Sequence, residues 1–377
     1  MRRTLLLLMI ALCSLSLGAQ EVEGGLPRGW QPLSEYPMAW SGEGDFEEWR
    51  SMARGKVVEL MGIAPAAPES ASYRTLAEEQ RESYKALKIE LEISRGNNIL
   101  GYLLVPDGEG PFPAIVALHD HGAKFSIGKE KMVRPIAESP AVVADAEAWV
   151  EKNYDGVWTG DLLASQGYVV LAIDALMWGN RGEGEEGRHT RYDTQQALAS
   201  NCLKLGTTLV GIITWDDLRS IEFLAAQPFV DSERIGLYGH SMGGHRAWMA
   251  AALSDRVAAV ASVCWMATAE ALLKAGNNEL KGGSAFSMQI PFITRWLDNP
   301  DIASLACPKP ALFISGLADK LFPAGVEEAY EQMRKVWESR GAAERFTCTR
   351  YPAPHCFNRD MQAEVVEFFQ RELMGAR

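Results

Sequence analysis

The chain predicts an α/β fold: a mostly parallel, twisted sheet with helices on both faces, preceded by an N-terminal helical extension. Three observations carry this expectation. Five apolar runs show no polar alternation: 112–119 (FPAIVALH), 168–174 (YVVLAID), 234–240 (RIGLYGH), 257–264 (VAAVASVC) and 310–317 (PALFISGL). Strands buried on both faces read this way. Helix-like stretches separate most of these runs, and strands alternating with helices build a parallel sheet whose right-handed crossovers put helices on both sides. Finally, 377 residues suffice to bury a large core without disulfides.

Residues 20–42 are rich in Gly, Pro and Trp and read as an extended arm. Residues 45–61 form an amphipathic helix, with Phe46, Trp49, Ala53, Val57, Leu60 and Met61 on one face. Two prolines and several alanines make 62–74 a linker. Two alternating runs, LKIELEIS and ILGYLLVP, flank Arg95-Gly96-Asn97-Asn98 and predict an antiparallel hairpin. Beyond it, helices are expected at 161–166, 205–226, 242–253 and 325–340. A last strand (RFTCTRYP) and a last helix, 361–373, close the chain. Two long inserts, 175–200 and 265–305, start at strand C-termini, where open α/β sheets bind ligands. The organisation expected is therefore a leader at 1–19, an arm and helix at 20–85, and one α/β domain at 86–377.

The leader, MRRTLLLLMIALCSLSLGAQ, has a charged start at Arg2 and Arg3, an apolar centre and a Leu17-Gly18-Ala19 cleavage site. It reads as a secretory signal peptide, so a secreted or periplasmic location is expected. Bulky Leu12 before Cys13 disfavours a lipoprotein anchor there. No later segment has about 20 consecutive apolar residues, so no membrane span is expected. The net charge of −12 repels phosphate backbones and argues against a nucleic-acid partner. The remaining cysteines, Cys202, Cys264, Cys307, Cys348 and Cys356, show no zinc-site spacing. Cys264 and Cys348 lie in strand-like runs and read as buried thiols.

The chemistry-bearing stretch is RIGLYGHSMGGHRAW. Gly239-His240-Ser241-Met242-Gly243 matches G-x-S-x-G between a strand and a helix of small residues. That context makes Ser241 a candidate nucleophile on a sharp turn, where only glycine tolerates the crowding at Gly239 and Gly243. A serine hydroxyl needs a base, and the base needs an orienting acid. In this fold they follow in the order Ser, Asp, His. Asp319 ends the 310–317 strand, and His355, the only histidine after His245, precedes the final helix. One oxyanion donor is expected from the N–H of Met242. The other is expected from the loop His119-Asp120-His121-Gly122-Ala123, with His121 favoured and Gly122 the alternative.

His119-Asp120-His121 lacks the further spaced ligands of a metallohydrolase, so neither metal nor cofactor is called for. His240 is expected to pack beside the elbow and His245 within its helix. Asp216 and Asp217, adjacent on one helix, read as solvated surface.

The chain resembles the α/β-hydrolase superfamily, in its dienelactone-hydrolase and acetyl-xylan-esterase-like branches. The resemblance covers about residues 86–375. It rests on G-H-S-M-G-G after VDSERIGLYG, the HDHG loop, LASQGYVVLAIDALMWGNRG, and PALFISGLADKLFP followed by a late histidine. It implies Ser241, Asp319 and His355 as triad and Met242 and His121 as oxyanion donors. Ser241 departs from the cysteine of dienelactone hydrolases and favours an esterase. Met242 departs from the glutamine usual in acetyl esterases. The function expected is a secreted serine carboxylesterase acting on short-acyl esters, with a small-molecule or carbohydrate ester as substrate. A prolyl-oligopeptidase-like peptidase would need a β-propeller that some 85 N-terminal residues cannot hold. A non-catalytic binding protein on this scaffold would have no reason to keep a triad. Trp178 and Trp265, each just after a strand end, are expected at the mouth of the site as substrate-binding surface. Phe286, Met288, Phe292 and Trp296 of the second insert are expected to narrow the acyl side.

Overall fold

A computed structural model describes residues 22–23, 26–27, 35–184, 187–274, 277 and 285–375. The expected leader with Cys13 lies outside the described residues, as do parts of the arm and of both inserts. No helix among the described residues is long and apolar enough to cross a membrane.

Helix α1 (Phe46–Met61) starts where the Asp45 carboxylate accepts the N–H groups of Glu47 and Glu48. It buries Phe46, Trp49, Ala53, Val57 and Met61, the face expected from their spacing. Three antiparallel strands follow: β1 (Tyr73–Gln80), β2 (Tyr84–Ser94) and β3 (Asn97–Pro106). The β2–β3 hairpin was expected and β1 was not. Only Tyr73 and Ala77 of β1 are even partly covered. It is a largely exposed edge strand of mixed polar and apolar residues (YRTLAEEQ), so it carries no apolar alternation to read.

The rest of the chain alternates. In order come β4 (Phe112–Leu118), α2 (Pro140–Tyr154), α3 (Thr159–Ser165), β5 (Val169–Ile173), α4 (Tyr192–Lys204) and α5 (Leu209–Ala225). Then come β6 (Val230–His240), α6 (Met242–Leu253), β7 (Val257–Val263), α7 (Ala269–Leu272), α8 (Asn299–Ser304) and β8 (Ala311–Gly316). The chain ends with α9 (Val326–Ser339), β9 (Phe346–Tyr351) and α10 (Arg359–Phe369). All five apolar runs are strands. Helix α2 was not anticipated, although Ser139 caps it and Pro140 opens it, the usual start signals.

The nine strands form one sheet in the order β1-β2-β3-β5-β4-β6-β7-β8-β9. The pairings from β5 through β9 are parallel, and β3 joins β5 antiparallel. Along β4, Val116 and Leu118 face one core while Ile115 and Ala117 face the other. Helices α1, α5, α6, α8 and α9 pack on the first face, and α2, α3 and α10 on the second. Cover on both sides is why these central strands lack polar residues.

Asp216 and Asp217 correct the sequence reading. Both are buried, because the first insert and α6 bring arginines against α5. Asp216 faces Arg181 of the first insert at 2.7 Å. Asp217 accepts two bonds from Arg246 on α6, at 2.9 and 2.6 Å. A charge this deep is tolerated only when paired. Replacing Arg246 by Met leaves Asp217 buried and alone, and should cost about 3–5 kcal/mol in guanidinium unfolding. Adding Asp217→Leu should recover most of that loss. A single-variant loss under about 0.5 kcal/mol, the usual surface value, would refute a structural role for the pair.

Candidate active site

Strand β6 turns into α6 at Ser241. The serine adopts φ 56° and ψ −124°, a conformation that costs a non-glycine residue about 1–3 kcal/mol. Close packing makes the turn possible. A Cβ on Gly243 would overlap the Leu118 carbonyl, and one on Gly239 would overlap the Gly243 backbone. The Ser241 N–H donates to the Val263 carbonyl of β7 at 2.7 Å, tying the turn to the sheet. Met242 is the first residue of α6, so its N–H belongs to the unsatisfied, electropositive end of that helix.

The turn brings Ser241 to the two residues expected beside it. His355 Nε2 lies 2.8 Å from Ser241 Oγ, and His355 Nδ1 lies 2.7 Å from Asp319 Oδ2. An ionised carboxylate only accepts, so Nδ1 carries the proton and Nε2 accepts from the serine hydroxyl. The other Asp319 oxygen accepts the Leu321 N–H at 2.9 Å, and the carboxylate is 1% exposed. The histidine loop is fixed too. Ala318 N–H donates to the Ala353 carbonyl at 3.0 Å, and Phe357 N–H to the Asn153 carbonyl at 2.9 Å.

Loop 119–123 reaches the same place, and a cavity of about 190 Å³ is lined by Asp120, His121, Gly122, Ser241, Leu321 and His355. The loop is held from behind by Lys131, which the sequence reading missed. Its ammonium is buried and donates to the carbonyls of Asp120 at 3.0 Å and His121 at 3.2 Å. The Trp178 indole N–H also donates to the His121 carbonyl, at 3.0 Å. In a trans peptide the N–H points opposite to the C=O. Pinning both carbonyls on Lys131 therefore turns the N–H groups of His121 and Gly122 away from it. Gly122 sits at φ +54°, where a Cβ would also strike the Trp149 ring.

A net of buried charge supports this loop. Asp120 pairs with Lys131 at 3.3 Å and accepts from Trp149 at 3.0 Å and Tyr154 at 2.6 Å. Burial pushes the Asp120 carboxyl up, but Lys131 and the Tyr154 hydroxyl outweigh it and hold it well below the usual carboxylate range. Next to it, Lys129 donates to Glu130 at 2.9 Å, Asp174 at 2.9 Å and Asn180 at 2.6 Å. Arg188 closes the group on Glu130 at 2.9 Å, linking the first insert to residues 126–131. In sequence this is the triplet Lys129-Glu130-Lys131 in a polar-looking loop, whose burial no local pattern announces.

The other candidates sort differently. His240 packs against His355 at 4.8 Å, and burial and that neighbour push it down to about 3. His245 is buried between Trp248 and Trp265, both at 4.6 Å, and burial holds it too at about 3. Trp178 departs from its expected place at the mouth. It is fully buried, and its ring packs on His121 and Phe125, because its indole N–H is needed behind the loop. Trp265 is also buried, but lines a second cavity. Met288 and Phe292 line that cavity as well, not the one at Ser241 where they were expected. His119 and Asp120 spend their ring and carboxylate atoms within the loop network. Among the described residues one other trio, His240, Cys264 and His355, brings its donor atoms within 4.8 Å. There His355 is engaged by Asp319 and Ser241, and burial pushes the Cys264 thiol up, so the trio makes a poor metal cage.

The sheet order, and a serine elbow with a histidine and a carboxylate in line beside it, define an α/β hydrolase fold. Residues 25–362 match the Abhydrolase family, and the chain belongs to it. YtaP of Bacillus subtilis (strain 168), assigned as a hydrolase, is 28% identical over 326 residues, covering 86% of this chain and 100% of its own. A Bacteroides fragilis NCTC 9343 structure assigned as an acetyl xylan esterase is similar with a TM-score of 0.67 and 19% identity, over 85% of this chain and 80% of that one. A glucuronoyl esterase from Solibacter usitatus is similar with a TM-score of 0.63 and 16% identity, over 91% and 98%.

A fluorophosphonate reports on an activated serine without any assumption about substrate. Mass spectrometry should find one adduct, on the peptide containing Ser241, and none in Ser241→Ala. Lys131→Met should slow labelling by about tenfold or more while the protein stays folded, because the N–H groups of His121 and Gly122 beside Ser241 lose their anchor. An unchanged rate in a folded Lys131→Met protein would refute that anchoring role.

Proposed function

We propose that this chain is a serine carboxylesterase, exported by its leader, that hydrolyses short-acyl esters of a carbohydrate or another bulky alcohol. The observation that carries the reading is the relay from Asp319 through His355 to Ser241, at 2.7 and 2.8 Å. His355 Nε2 takes the Ser241 proton as Oγ attacks the ester carbonyl. The oxyanion that forms is met by the N–H groups of Met242 and of His121 or Gly122. Collapse of the tetrahedral intermediate expels the alcohol, which takes the proton back from His355. Water, deprotonated by the same nitrogen, then releases the acid, and Asp319 keeps the imidazole in one tautomer throughout. Hydrolysis of esterified polysaccharide is supported by the names of the similar structures, and the leader would deliver the enzyme to such polymers. The cavity at Ser241, about 190 Å³ and walled by Trp149 and Leu321, supports a small acyl group.

A p-nitrophenyl ester series tests the reading. Acetyl esters should be cleaved well, butyryl poorly and octanoyl hardly at all, since each misfit costs about 1–3 kcal/mol. A specificity constant rising toward octanoyl would mark a lipase-like site instead. Asp319→Asn should lower kcat by about 10⁴ through the wrong histidine tautomer. Asp298 caps α8, so Asp298→Asn should not approach that loss; the reverse pattern would sink the assignment of the acid.

A further inference from the structure

Helix α2 runs along the cavity at Ser241, and Trp149 and Asn153, one turn apart on it, both line that cavity. Trp149 marks the end toward loop 119–123. Its indole N–H donates to Asp120 at 3.0 Å, its ring would meet any Cβ on Gly122, and the Lys131 ammonium stands 4.9 Å from its centre. Asn153 marks the end toward the histidine loop. Its carbonyl accepts the N–H of Phe357, two residues beyond His355, at 2.9 Å. Just past it, the Asp155 carboxylate accepts the Arg359 N–H at 3.1 Å.

The Asn153 amide is oriented by its own helix. Nδ2 donates to the Trp149 carbonyl at 3.0 Å. The amide oxygen could not take that place, because both oxygens are acceptors. Oδ1 therefore turns away from that carbonyl, and among the described residues no group donates to it. The other acceptors on this wall are engaged or covered. The Asp120 carboxylate serves Lys131, Trp149 and Tyr154. The His121 ring is held by Ala123 and Gln195, and the His240 ring nitrogens are buried out of reach. Oδ1 of Asn153 is thus the acceptor this wall can offer to a hydroxyl of the substrate.

In acyl transfer the leaving alcohol takes its proton from the histidine, so the alcohol lies on the His355 side of Ser241, the Asn153 end of α2. An acetyl group leaves room to spare, since an apolar cavity of roughly 150 Å³ already admits benzene and this one measures about 190 Å³. Ser241 and Asn153 share that one small space, so a donor reaching Oδ1 sits close to the ester.

We propose that Asn153 is a specificity-determining residue whose Oδ1 accepts a hydroxyl on the carbon next to the esterified one. The substrate is then a monoester of a vicinal diol, such as a sugar whose neighbouring hydroxyl is free. The inference rests on the ester-hydrolase reading above.

Three acetates test it. Ethylene glycol monoacetate carries the hydroxyl. Propyl acetate has the same length without it. Methoxyethyl acetate keeps the electron-withdrawing oxygen, which makes the alcohol a better leaving group, but has no proton to donate. Wild-type kcat/KM for the glycol ester should exceed that for both others by about fivefold or more, the scale of one neutral hydrogen bond. Asn153→Ala and Asn153→Leu should each bring the glycol ester down to the level of methoxyethyl acetate. Comparing esters within one protein cancels any general loss of activity, and the wild-type comparison stands whether or not a variant folds. Equal wild-type rates on the glycol and methoxyethyl esters, or an undiminished preference in a folded variant, would overturn the role of Asn153 and leave the ester reading intact. No turnover of any of the three, with p-nitrophenyl acetate also untouched, would overturn the ester reading and the subsite together.

Discussion

Everything at the candidate site depends on the turn at Ser241. Leu118 and Gly243 approach so closely that no side chain fits between β4 and the start of α6. That contact holds the serine in its costly backbone conformation. Three consequences follow from one strained residue: α6 begins at Met242, the Ser241 N–H reaches the Val263 carbonyl, and the hydroxyl meets His355 Nε2. A relaxed turn would lose all three together, which is why the strain persists.

The second constraint is electrostatic. Lys129, Glu130 and Lys131 are all buried, and isolated buried charges cost far more than a folded domain can spare. They are tolerated because each meets partners of opposite sign or a carbonyl. The arrangement also has a directional effect. A cation that grips two successive carbonyls fixes two successive N–H groups on the opposite side. The N–H groups of His121 and Gly122 thus take their orientation from a lysine on the opposite side of loop 119–123. An apolar core could hold the loop equally firmly, but it would not orient peptide dipoles.

The two cavities divide the space around the nucleophile by chemistry. The one at Ser241 is bounded by loop 119–123, Trp149 and the histidine loop. The one beyond His245 is bounded by indoles, aliphatic side chains and the second insert. His245, held neutral by burial and by Arg246, lines the second cavity, and the buried Phe322 ring stands between Trp265 and His355. The inserts therefore have different tasks. The first, through Arg188 and Trp178, braces loop 119–123 from behind, whereas the second shapes a separate space.

Much of this was legible along the chain because it is local. Strands buried on both faces must be apolar throughout, so β4 to β8 could be read one at a time. A serine between glycines at a strand-to-helix junction, an aspartate after a strand and a lone late histidine could be ordered without coordinates, since the topology dictates which strand ends come together. What could not be read was whatever depends on cover from elsewhere. Asp216 and Asp217 look like solvated helix surface until Arg181 and Arg246 arrive from other segments. Lys131 looks like a loop charge until Asp120 and Tyr154 enclose it. Trp178 and Trp265 each follow a strand end, yet one braces a loop and the other walls a cavity. Burial of a polar or aromatic side chain is set by residues distant in sequence, so only the tertiary structure decides whether such a side chain is surface, support or binding wall.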